Sequence, residues 1–98
     1  MTQEEYLIHI KYFSHAFFEV GDMFKKLSGN NPAFSYSSMI PGTDMYVHRN
    51  SKTWSLYKMG CNKPCRYLRD GHYDHAYSDL LKAFIDALEE DEKNGLDV

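Results

Sequence analysis

The sequence predicts an α+β fold: an N-terminal helix, a small antiparallel sheet of three to four strands including a hairpin, and a C-terminal helix. Three observations carry that prediction. Apolar residues recur at helical spacing towards both ends, short β-favouring runs fill the middle, and turn residues separate those runs. The 98 residues are expected to form a single compact domain, because two halves would each bury too little apolar surface. At 43% hydrophobic and 15% aromatic the chain has material for a core. Eight Tyr and six Phe supply much of it, since each ring buries a large area while Tyr keeps a polar tip.

The first helix is expected over about 3–28. Thr2 and Glu5 form a capping-box pattern, in which the hydroxyl accepts from a free backbone N–H and the carboxylate reaches back to the cap. Tyr6, Ile10, Phe13, Phe17, Val20, Phe24 and Leu27 then alternate at spacings of four and three, which is one helical stripe. Gly29 and Pro32 end it. Leu7, Ile8, Tyr12, Phe18 and Met23 lie off that stripe. A helix apolar on more than one side is central in its domain or buried against a second chain, so a homodimer through this helix is expected alongside an intrachain core.

Strands and turns are expected over about 33–69. "DMYVHR" and "TWSLYKM" flank the turn-like "NSK" and read as a hairpin, with "AFSYSSM" before it and "CRYLR" after it as weaker strands. Pro41-Gly42 and Asn62-Lys63-Pro64 supply turns between them. The second helix is expected over about 73–92, from the stripe Tyr77, Leu80, Leu81, Phe84, Ile85 and Leu88 and from Ala76, Ala83 and Ala87. Asp70 or Asp74 would cap it, and residues 93–98 read as a frayed acidic tail.

Charge is unevenly spread. Residues 1–44 carry −2, residues 45–69 carry +6 with no acid among them, and residues 70–98 carry −7, for a net −3. Charge runs are most often solvated faces, and here the acidic helix also offsets the basic strands. Two sharper expectations follow. The basic, aromatic stretch would bind nucleic acid through Trp54, Tyr57, Lys58, Arg66 and Arg69, with bases stacking on rings beside phosphate-binding cations. The acidic helix, with Asp86, Glu89 and Glu90 as contacts, would instead dock a basic protein partner. The net acidity ranks nucleic acid second.

Cys61, Cys65, His72 and His75 have the ligand types of a tetrahedral zinc site. Their spacing is poor for one: the histidines have two residues between them, and the pairs are separated by six. Cys-x-x-x-Cys is also not the spacing of a catalytic dithiol. The plain reading is two half-buried thiols and two surface imidazoles, with no cofactor. A zinc-stabilised module is an alternative, and it requires that a chelator unfold the chain.

No Gly-rich phosphate loop or nucleophile-elbow Ser is present, so an enzyme is not expected. No apolar run approaches the roughly 18 residues of a membrane span. "MTQEEYL" lacks the layout of a secretory signal, and two cysteines do not make a disulfide scaffold, so a cytoplasmic protein is expected. The leading functional expectation is a small regulatory or inhibitory protein that works by protein–protein contact. Small acidic, aromatic-rich proteins of phages and mobile elements act in this way on nucleic-acid-handling machines, by occupying a cationic groove. That comparison concerns size and composition.

Overall fold

The computed structural model describes residues 1–69 and 73–95. Helix α1 (Gln3–Ser28) is followed by four strands, β1 (Ser35–Met39), β2 (Met45–Asn50), β3 (Thr53–Lys58) and β4 (Arg66–Arg69), and by helix α2 (Tyr73–Gly95). The strands form one antiparallel sheet in the order β1-β2-β3-β4, so every connection joins neighbours. The fold is α+β, as the hydrophobic patterning predicts.

Local chemistry accounts for the boundaries. Thr2 caps α1 by accepting from the Glu5 N–H at 3.1 Å. The Glu5 carboxylate accepts from the Thr2 hydroxyl at 3.2 Å, so the return half of the capping box is made to the side chain and not to the backbone. Gly29 follows at φ 52°, a conformation a side chain resists. The β2–β3 hairpin is closed by Asn50, whose Oδ1 accepts from the Lys52 N–H at 2.9 Å, the Thr53 N–H at 2.8 Å and the Thr53 hydroxyl at 3.0 Å. An Asn side chain that mimics a backbone carbonyl is what a two-residue turn needs. Helix α2 runs on through Lys93 and Asn94 to Gly95, beyond the end near 92 that the charge run implies. Cap candidate Asp70 falls outside the described residues, as do residues 96–98 of the expected tail; Asp74 lies within the first turn of α2.

Both helices lie on one face of the sheet. They run antiparallel, as the Ser14–Tyr77 hydroxyl bond (2.6 Å) and the Tyr6 hydroxyl donated to Glu89 show. The shared core holds Phe13, Ala16, Phe17 and Val20 of α1, Ala76, Leu80 and Phe84 of α2, and Ile40, Met45, Val47, Trp54 and Leu56 beneath them. Rings dominate it. Phe17 stacks on Trp54 at 4.3 Å between centroids and 14° between planes, and Phe13 stacks on Phe84 at 5.4 Å.

This packing places the apolar stripe of the first helix in the chain's own core. The residues that would form a homodimer seam, Phe13, Phe17 and Val20, are the centre of the chain's own core. Leu27, at the end of the stripe, is 52% exposed because the sheet stops short of it. Leu7, Ile8 and Phe18 are exposed on the outer side of α1.

Phe17→Ala is expected to cost about 3–5 kcal/mol, read as a lowered urea midpoint, while Leu7→Ala changes stability by less than about 0.5 kcal/mol. Charged residues at Phe13 and Phe17 should unfold the chain; folded monomers would show that these rings are not core.

Candidate functional site

The other face of the sheet carries no helix, and strand parity decides what stands on it. Side chains two apart share a face, and the register places Ser37, His48, Ser55 and Tyr67 in one cross-strand row. Ser35, Asn50, Thr53 and Arg69 form the next row, and Met39, Tyr46 and Tyr57 a third.

His48, Ser55, Tyr67, Ser35, Asn50, Thr53 and Arg69 of the first two rows, with Tyr57 of the third, line a concavity of about 870 Å³. Ser55 and Thr53 are 2% and 6% exposed although no element covers them, because taller neighbours close over these short hydroxyl side chains. Tyr46 and Tyr57 stack across β2 and β3 at 5.3 Å and 10°, and His48 meets Tyr57 edge-on at 6.0 Å. Tyr67, on β4, is 47% exposed, and its hydroxyl accepts from the Arg69 Nε at 3.4 Å. Lys52 and Pro32 stand at one rim. Among the described lining residues there is no carboxylate. Burial pushes the His48 imidazole below its ordinary value, so it stands neutral at neutral pH.

The residues expected from sequence to bind a partner divide between the two faces. Tyr57 and Arg69 are on the open face. Trp54 is not: it is 1% exposed under Phe17 and belongs to the core. Lys58 and Arg66 turn to the helix side. Lys58 donates to Asp91 at 2.5 Å, with Asp44 at 4.0 Å, and the Asp91 contact holds its ammonium above the usual range. Arg66 lies 3.8 Å from Asp79. Arg49 shares this side, with its guanidinium 5.1 Å from the Phe24 ring and 5.3 Å from that of Trp54. Part of the positive charge of residues 45–69 is therefore matched by α2. Asp86, Glu89 and Glu90 are exposed on α2, and Glu89 also accepts from Tyr6.

Tyr46, His48, Tyr67 and Lys52 also belong to the open face. The signal for three of them was parity. Tyr46 and His48 are two apart on β2, and Tyr67 is two from Arg69, whereas Trp54 has the parity of Leu56 and so faces inward.

Cys61 and Cys65 are free and exposed, and burial of the sulfur is the main cause pushing the Cys65 thiol up. His75 is exposed at the start of α2, and His72 lies outside the described residues. Among the described residues no three His, Cys, Asp or Glu side chains gather into a metal-binding group. No described helix is long and apolar enough to cross a membrane.

No known protein-family model matches the chain, and no characterised protein or solved structure shows significant similarity to it.

His48 supplies a pH test. Its folded value lies below the 6.5 of an unhindered imidazole, so the unfolded chain takes up the proton first. Stability should therefore fall as pH drops through about 6.5, and His48→Gln should flatten that part of the curve in urea melts. An unchanged slope would place His48 in solvent.

Proposed function

We propose that this chain is a non-enzymatic binding protein, a small regulator that works by contact, and that the uncovered sheet face is its contact surface. The observation that carries the reading is the contrast between the two faces. One is sealed by a core of stacked rings under two helices. The other presents tyrosines, a histidine and hydroxyls around a cleft. Tyrosines are enriched where proteins bind partners because one ring offers both apolar area and a hydrogen bond. Strands also hold such rings at fixed spacing, so little order is lost on binding.

A second reading comes from α2, where Asp86, Glu89 and Glu90 form an exposed acidic edge suited to a basic protein. In that case the chain acts as an inhibitor that fills a cationic groove, as expected of phage and mobile-element regulators.

The two surfaces are separated by variants. The immobilised chain is compared with Tyr57→Glu/Tyr67→Glu and with Asp86→Lys/Glu90→Lys for what each retains from an extract of the cells that express it, protein and nucleic acid both being counted. Retention lost only in the tyrosine variant is the expected result. Loss only in the α2 variant moves the surface to the acidic edge. Retention indifferent to both overturns the reading.

A further inference from the structure

We infer that the occupant of the open sheet face is a single strand of nucleic acid, with its bases against the Tyr57 and Tyr67 rings and its phosphates beside Lys52 and Arg69. This rests on the sheet face being the contact surface.

Shape is the first argument. The cleft is lined by the His48, Tyr57 and Tyr67 rings, with the short, nearly buried Ser55 and Thr53 among them. Rings beside short hydroxyl side chains offer a flat heterocycle π-faces to stack on. Every base has a π-face, and stacking on an aromatic ring is the sequence-tolerant means by which single strands are held. A duplex keeps its base faces inside its own stack, so it offers this cleft only its backbone. The cleft is also wrong for an apolar peptide, since it presents hydroxyls where such a segment needs aliphatic carbon. The Ser35 and Ser55 hydroxyls are suited to base edges and sugars.

Charge is the second argument. The net −3 counts against nucleic acid only if the field is uniform, and it is not. Asp79, Asp86, Glu89, Glu90 and Asp91 all belong to α2, on the helix side. Lys52 and Arg69 line the cleft, where no described lining residue is acidic. A polyanion is thus repelled from the helix layer and admitted at the sheet. This separation is built by the register, which sends Lys58 and Arg66 to the α2 carboxylates and leaves the opposite parity to the rings.

The test is fluorescence anisotropy of the full-length chain with labelled oligo-dT and oligo-U of about 12 nucleotides, and with a duplex of the same length. Both single strands should bind at about 50 mM salt and weaken steeply by about 200 mM, with the duplex at least roughly tenfold weaker. Removing a ring, as Tyr57→Ala or Tyr67→Ala, should raise Kd roughly 5- to 150-fold. Lys52→Ala should reduce the slope of log affinity against log salt by about 0.7, the value for one single-strand phosphate. Trp54 emission, which reports the core on the other side of the sheet, verifies that each variant is folded. A preference for U over dT assigns the 2′-hydroxyl a contact, and equal binding makes the ligand either strand; both sustain the inference.

The inference is overturned by no single-strand binding at low salt, by equal duplex binding, or by affinity that the folded Tyr57→Ala/Tyr67→Ala variant retains. It is also overturned if the face self-associates, read as a doubled mass in sedimentation that the tyrosine variant abolishes. If oligonucleotides fail while Tyr57→Glu/Tyr67→Glu still loses a protein from extract, the face binds protein and only the partner assignment falls. If that contrast is absent as well, the contact surface itself is wrong.

Discussion

The stack of Phe17 on Trp54 is the contact on which the rest of the structure depends. It joins the middle of α1 to the start of β3, an inner strand of the sheet. Around it Phe13 links α1 to α2 through Phe84, and Tyr77 closes the upper edge against Phe13, Phe17 and Phe18. A chain modest in aliphatic residues thus gains its cohesion from rings, whose large buried areas and offset or edge-on contacts make up for scarce Leu, Ile and Val. Holding both helices on one side has a consequence: no described element covers the other.

That uncovered face is stable without a cover because its centre is not apolar. Ser55 and Thr53 put hydroxyls where a sandwiched sheet would put Val or Ile. The rings beside them have hydroxyl or imidazole tips that water tolerates. The face offers π-surface, hydroxyls and the cations Lys52 and Arg69, and no described residue lining its cleft is acidic. Opposite it, the acids of α2 are partly committed to structure: Asp91 with Lys58, Asp79 with Arg66, Glu89 with Tyr6. Such exposed pairs add little stability, and their effect is on the field around the molecule.

Fold and element boundaries were legible because they follow from local rules. The cap at Thr2, the alternating stripe through Phe13 and Phe17, the Asn50 turn and the runs around it each act within a few residues. The candidate site was legible only in part. Tyr57 and Arg69 were identified because they sit in a basic, aromatic stretch, yet the same criterion admitted Trp54, Lys58 and Arg66, which face the helices. Composition does not distinguish one side of a strand from the other; alternation does, once the inward residues are known.

Sequence by itself determined the order helix, three to four strands, helix, the apolar stripe of α1 and the division of the chain into acidic and basic parts, since all of these are properties of neighbouring residues. Tertiary structure decided that the stripe packs on the chain's own sheet and that Trp54 is core. It also decided that Tyr46, His48, Tyr57 and Tyr67 gather on one face. The physical reason is that a strand has two faces and a helix one stripe. Which face receives the helices is fixed by register and packing between residues far apart in the chain, and no local pattern carries that information.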